Sequence, residues 1–95
     1  MPVVLNETAH RFECTVDDHV ARLDFRIEAD RLVIAHTEVA DELEGRGVGG
    51  DLVRAALHYA AEHDLTIVPM CPFARDWLER HPDETARAKI GTKSA

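Results

Sequence analysis

Apolar and polar residues alternate along the first part of the chain, which is the pattern of strands with one buried face. The alternation covers residues 11–16, stops at the turn-forming pair Asp17-Asp18, and resumes over residues 22–27. Two such runs around a short turn predict a hairpin. After Ala29-Asp30, residues 31–39 form a more continuously apolar strand, suited to burial on both faces. An antiparallel three-stranded meander is therefore predicted.

The second half of the chain changes to a helical period. From Gly47 to about His63 the apolar residues recur at intervals of three and four, which predicts an amphipathic helix. Residues 65–70 then form a short apolar strand, and a helix between two strands is the crossover that a parallel pair requires. A short second helix is predicted from Pro72 to the stop at His81-Pro82.

These elements predict a mixed α/β (α+β) fold in a single domain, residues 1–95. A chain of 95 residues is long enough for one core and too short for two ligand-binding halves. Beyond Asp83 the residues are mainly polar or small, so we expect a loosely ordered C-terminal tail over about residues 84–95.

Four of the five glycines lie within residues 44–50, directly before the first predicted helix. Glycine lets a backbone approach a ligand and adopt positive φ, and the first N–H groups of a helix lack intrahelical partners. The segment is therefore predicted to bind a phosphate or pyrophosphate. Met70 and Cys71 stand where a dinucleotide fold needs an acidic residue, and no Lys-Ser or Lys-Thr follows as in a P-loop.

The composition limits the possible partners. Eleven Lys and Arg against eighteen Asp and Glu give a formal charge of -7, which disfavours binding to nucleic acid or an anionic membrane. No apolar run approaches the roughly 18 residues of a membrane span, and signal-peptide features are missing, so a cytoplasmic protein is expected. The two cysteines are expected to be free thiols, and the histidine spacing does not support a metal site. We expect a monomer or weak homodimer.

Three short motifs follow one another along the chain: Glu44-Gly45-Arg46-Gly47-Val48-Gly49, Cys71-Pro72-Phe73 and His81-Pro82. The first is similar to the Q/R-x-x-G-x-G/A loop of the GCN5-related N-acetyltransferases, although Glu44 stands where the wider family prefers Gln or Arg. With the predicted order of elements, residues 9–83 resemble a small single-domain subfamily of these enzymes. The resemblance implies a minimal acyl-CoA N-acyltransferase fold, with a meander, a glycine loop, a helix, a parallel fourth strand and a short second helix.

The resemblance also implies acetyl-coenzyme A (acetyl-CoA) or coenzyme A (CoA) as cosubstrate, and no metal. The glycine loop would hold the pyrophosphate through its backbone amides, and the end of the third strand would hold the pantetheine arm. The residues assigned to the coenzyme are Val39, Ala40, Arg46, Gly47, Val48, Gly49, Gly50, Cys71 and Phe73. Many members carry, in the second helix, a tyrosine that can protonate the leaving thiolate. Trp77 stands about at that place, and an indole is no useful acid.

Three residues are candidates for catalysis. Cys71 lies where a strand meets a helix N-terminus, an environment that favours the thiolate. It could act as an acid, a transient acyl acceptor or a redox partner of CoA, or it could be a small buried residue. His36 and Glu38 share one face of a strand, where either could take a proton from an amine or form an ordinary cross-strand hydrogen bond.

Sequence and resemblance together favour an N-acetyltransferase that moves an acetyl group from acetyl-CoA to an unidentified amine, either a small molecule or a lysine-type side chain. A strand amide near Val39 would polarise the thioester carbonyl. The alternative is a non-catalytic acyl-CoA- or CoA-binding or sensing module, which would fit the missing tyrosine. A domain that has lost coenzyme binding is disfavoured, because the glycine loop is intact.

Overall fold

The computed structural model describes residues 2–91, and its centre is one sheet of six strands arranged in sequence order. The strands are β1 (Val4–Asn6), β2 (Arg11–Val16), β3 (His19–Glu28), β4 (Arg31–Val39), β5 (Thr66–Pro69) and β6 (Lys89–Ile90). The α-helices are α1 (Val48–Glu62), α2 (Pro72–Arg80) and α3 (Pro82–Thr85), and a short 3-10 helix spans Asp41–Leu43.

The predicted meander and crossover are both present in this sheet. Strands β1 to β4 are antiparallel, whereas β5 is parallel to β4 and β6 is parallel to β5. Asp17 and Asp18 form the turn between β2 and β3 with φ of 50° and 67°, the left-handed pair that a tight hairpin prefers. The mixed α/β fold class is therefore confirmed.

Two short strands are not predicted by the sequence pattern. Strand β1 has three residues and pairs with the edge of β2, which is too short a run to show a period. The region expected to be a loose tail, residues 84–95, contains the end of α3 and all of β6. The Gly91 N–H also donates to the Ile67 carbonyl at 2.7 Å. Residues 92–95 lie outside the described residues.

One face of the sheet carries the hydrophobic core, and α1 and α2 cover it. Burial of large aliphatic side chains is the main stabilising contribution to such a packing. The fully buried large side chains are Leu23, Leu32, Ile34, Leu43, Leu52, Leu57 and Ile67. Helix α2 adds Ala74, Trp77 and Leu78, and Cys14 is buried on β2. This core fixes the position of the N-termini of α1 and α2.

A bulge in β4 determines where the sheet opens. Asp24 pairs with His36 and Phe25 pairs with Ile34, so Ala35 is an extra residue on β4. The last residue of β5, Pro69, pairs with Ile34. Beyond this point β4 continues to Val39 without β5 beside it, and the two strands part.

Candidate functional site

A cleft of about 780 Å³ opens where β4 and β5 part, and it continues between α1 and α2. The second half of β4 forms one wall with His36, Thr37, Glu38 and Val39. The turn before α1 and the first turn of α1 form the next wall. Phe73 and other side chains of α2 form the third wall. The sheet and two helix N-termini therefore meet around one cavity.

Glycine is required at two positions of the turn because of backbone conformation. Gly45 has φ 79° and Gly47 has φ 77°, and a Cβ at either position would meet nothing within 4 Å. Gly47 is the N-cap of α1 and supplies no side chain to the first N–H groups of the helix. These donors and the positive end of the helix dipole therefore face the cleft without a capping side chain, which is the arrangement that binds anions.

Gly49 and Gly50 are required for a different reason, the packing of α2 against α1. A Cβ on Gly49 would lie 2.5 Å from Cζ of Phe73, and one on Gly50 would lie 2.7 Å from Nε1 of Trp77. The missing side chains let the two aromatic rings approach the first turn of α1. Both glycines still line the cleft, so their amides and the aromatic rings share one surface.

Cys71 is the N-cap of α2 and is 5% exposed, behind the wall of the cleft rather than on it. Its thiol donates to the hydroxyl of Thr37, with Sγ and Oγ1 3.5 Å apart, and Thr37 does line the cleft. Burial by itself raises the pKa of Cys71. The Ala74 and Phe73 amides and the Thr37 hydroxyl outweigh that effect and lower the pKa below its ordinary value.

His36 and Glu38 are brought together as the strand pattern predicts. His36 Nε2 lies 3.3 Å from Glu38 Oε1, and Glu38 Oε2 accepts from Arg22 at 3.0 Å. The hydrogen bond with His36 and the charge of Arg22 hold the pKa of Glu38 below its ordinary value. A carboxylate only accepts, so in neutral His36 the proton is on Nε2 and Nδ1 is the acceptor.

Besides Cys71, two residues assigned to the coenzyme are not among the residues that line the cleft. Arg46 is half exposed and its Nη1 lies 3.8 Å from Asp17 Oδ2, while Ala40 follows the end of β4. Neither is among the lining residues, whereas the other turn residues, Val39 and Phe73 are.

Four lining residues between α1 and α2 were not among the assigned site residues: Arg54, Trp77, Arg80 and His81. Trp77 is 5% exposed and belongs to the hydrophobic core. A helical periodicity alone assigns arginines to the solvated face. Only the place of α2 beside the first turn of α1 shows that these arginines border the cleft.

Two further features, metal-ligand clusters and membrane-spanning helices, were searched for among the described residues. Within residues 2–91, no group of three or more His, Cys, Asp or Glu side chains is arranged to hold a metal ion. None of the helices in this part of the chain is long and apolar enough to cross a membrane.

The fold and the cleft together define a class, the mixed α/β domains with a glycine turn at the start of a crossover helix. The family model described as GCN5-related N-acetyl-transferase matches residues 11–88. The chain therefore belongs to the GCN5-related N-acetyltransferase family.

Similar proteins agree with this membership. A GCN5-like protein from Staphylococcus aureus, solved by NMR in solution, has a TM-score of 0.74 and 28% identity over 98% of this chain and 92% of that one. The chain is 35% identical to Protein NATD1 of Homo sapiens and of Gallus gallus over 49 residues, or 52% of its length. The match covers 43% of the human and 44% of the chicken protein, so the chain spans less than half the length of these relatives.

Proposed function

We propose that the chain is an N-acetyltransferase that binds acetyl-CoA and transfers its acetyl group to an amine. The observation that carries the proposal is the turn with positive φ at Gly45 and Gly47, which directs the first amides of α1 into the cleft where β4 and β5 part. Family membership supports the same reaction class.

In this proposal the coenzyme is bound by backbone N–H and C=O groups that border the cleft. The amides of Gly47, Val48, Gly49 and Gly50 are placed to hold a pyrophosphate at the start of α1. Beyond Ile34, no strand within residues 2–91 lies beside β4 on the β5 side, so the backbone N–H and C=O groups of β4 can pair with the amides of a pantetheine arm. In this arrangement the Val39 region is in contact with the arm, and Arg46 and Ala40 serve as loop residues rather than ligands.

His36 is the residue best suited to take the proton of the amine. The Glu38 carboxylate fixes Nε2–H of His36, which leaves Nδ1 able to accept. Glu38 has a lowered pKa and is held by Arg22, so it is a weak base and a suitable positioning residue. The amine nitrogen bonds to the acyl carbon, the C–S bond breaks, and the amine's proton goes to His36.

Thr37 and Cys71 are placed to protonate the leaving thiolate. The Thr37 hydroxyl borders the cleft and accepts from the Cys71 thiol behind it. We infer that Thr37 gives its proton to the departing sulfur and receives the thiol proton of Cys71. The lowered pKa of Cys71 favours the thiolate that results, and solvent then returns the proton. This pair would substitute for the tyrosine that is replaced by Trp77.

The test is calorimetry with acetyl-CoA followed by a thiol-release assay over a panel of small amines and lysine peptides. We expect saturable binding and release of CoA with at least one acceptor, and His36→Ala should abolish release while leaving binding in place. Binding without release from any acceptor would favour the non-catalytic coenzyme-binding module. A folded protein that binds neither acetyl-CoA nor CoA would refute both functions.

A further inference from the structure

The end of the cleft at the glycine turn carries a negative side chain, although the ligand proposed for it is a pyrophosphate. Among residues 43–50, Glu44 is the one that lines the cleft with a charged side chain. The other lining residues of this stretch are Leu43, Val48 and glycines. An anion at this end would therefore meet backbone N–H groups and one carboxylate.

The backbone of Glu44 is held in place by the fold. Its N–H donates to the Asp41 carbonyl at 3.2 Å, and the Arg46 N–H donates to the Leu43 carbonyl at 3.3 Å. Glu44 has φ -62° and ψ 142°, and Gly45 has φ 79°, which are the angles of a type II turn. Leu43 is 1% exposed and anchors this turn in the core. The Glu44 side chain therefore leaves the backbone in a fixed direction.

The charge of Glu44 is not balanced by a neighbouring cation. Within residues 2–91, its side chain has no hydrogen bond or ion pair. Glu38, the other acidic residue that lines the described cleft, accepts from Arg22. Arg46 is two residues after Glu44, but its Nη1 lies 3.8 Å from Asp17 Oδ2 and it does not line the cleft. An anion at the turn would therefore be repelled by Glu44.

The range of this repulsion reaches the first amides of α1. Glu44 precedes Gly47 by three residues, so their Cα atoms are at most about 10 Å apart. Screening by salt takes effect over about 8 Å at physiological ionic strength, so much of the repulsion is retained. For the charge of a pyrophosphate at this range, we expect binding to be weakened about fivefold.

We propose that Glu44 sets the affinity for the coenzyme, by repelling its phosphates and keeping its binding weak. The inference rests on the proposed function, because it needs a pyrophosphate at the first amides of α1. The phosphates do not change during acetyl transfer, so the repulsion is equal in the ground state and the transition state. Glu44 therefore raises the KM for acetyl-CoA and leaves the transfer step unchanged.

The test is calorimetry with CoA on the wild-type protein and on Glu44→Gln, which keeps the shape of the side chain and removes its charge. At low salt, about 50 mM, we expect Glu44→Gln to bind CoA about fivefold more tightly than the wild type. At 1 M salt the screening length falls to about 3 Å, so the two affinities should become equal. A difference caused by altered packing would persist at high salt.

Two further variants separate the position of the charge from the net charge. Glu62→Gln changes the net charge equally, but Glu62 is exposed, does not line the cleft and ends α1, about 21 Å from its first residue. Its affinity for CoA should equal that of the wild type. Glu44→Asp keeps the charge and should bind more weakly than Glu44→Gln at low salt.

Two results would overturn the inference and leave the proposed function standing. One is binding of CoA by Glu44→Gln that is no tighter than binding by the wild type at low salt. The other is a gain in Glu62→Gln as large as the gain in Glu44→Gln, because the effect would then belong to the net charge. Binding of CoA by none of the proteins would instead refute the proposed function, and the inference with it.

Discussion

The four glycines before and within the first turn of α1 are needed for two separate physical reasons. Gly45 and Gly47 have positive φ, which L side chains rarely adopt, while Gly49 and Gly50 lie against aromatic rings of α2. The sequence motif does not separate these reasons, because it does not show whether a glycine is needed for its backbone conformation or for its lack of a side chain. The distinction matters because only the first pair can be changed without pushing on α2.

Gly47→Ala should destabilise the fold by about 1–2 kcal/mol, since alanine in the left-handed region is strained by its Cβ. Gly47→Asn should lose less stability than Gly47→Ala, because asparagine tolerates the left-handed region better than other residues with a Cβ. Urea unfolding of both variants measures the difference. Equal stability of Gly47→Ala and the wild type would show that the turn does not hold φ near 77° in solution.

Cys71 should react with iodoacetamide along a pH profile whose midpoint lies below that of a free thiol, because its pKa is lowered. Thr37→Val removes the hydroxyl that stabilises the thiolate, so the midpoint should move to higher pH. Thr15→Val, on the exposed side of β2, is the control and should leave the profile unchanged. Peptide mass spectrometry assigns the reaction to Cys71. A midpoint that does not differ between Thr37→Val and the wild type would exclude the proposed relay.

At the scale of elements, the sequence predicts the features that depend on the spacing of apolar residues. It does not predict the features that depend on contacts between residues distant in the sequence. The hairpin, α1 and β5 follow from apolar spacing. The bulge at Ala35 does not, because the continuous apolar run of residues 32–35 hides the change of face. The part of the cleft between α1 and α2 cannot be predicted from the sequence either, since only the packing of Phe73 and Trp77 on α1 brings Arg54 and α2 together.

The ion pair between Arg54 and Glu84 connects α1 to α3, and it should make stability depend on pH. The hydrogen bond from Arg54 lowers the pKa of Glu84, so the carboxylate stabilises the fold above its pKa in the unfolded chain. That contribution is lost as the pH falls through the lowered folded pKa. Glu84→Gln should be less stable than the wild type at neutral pH, and the difference should narrow in acid.

Thermal unfolding between neutral pH and pH 3 measures this narrowing. Glu79→Gln is the matched control, because Glu79 is an exposed carboxylate of α2 and has no ion pair among the described residues. A difference between Glu84→Gln and the wild type that stays constant with pH would show that Glu84 does not act through its charge.

At the scale of the whole molecule, the sheet depends on both ends of the chain. The antiparallel half is built from consecutive hairpins, while the parallel half needs α1 and the segment after α2 to bring β5 and β6 into place. Strand β6 covers the edge of β5, and Gly91 fits against Thr66 because a Cβ there would lie 2.7 Å from Cγ2 of that residue. Uncovered strand edges promote pairing between molecules.

A chain truncated after His81 should therefore be less stable and more prone to associate than a chain truncated after Gly91. The shorter chain loses the Arg54 contact with Glu84, the Gly91 hydrogen bond to Ile67 and the cover of β5. The longer chain retains α3 and β6 and serves as the matched control. Thermal unfolding and size-exclusion chromatography at several concentrations compare the two. Identical unfolding temperatures and identical elution would mean that α3 and β6 add no stability, and that the sheet is complete at β5.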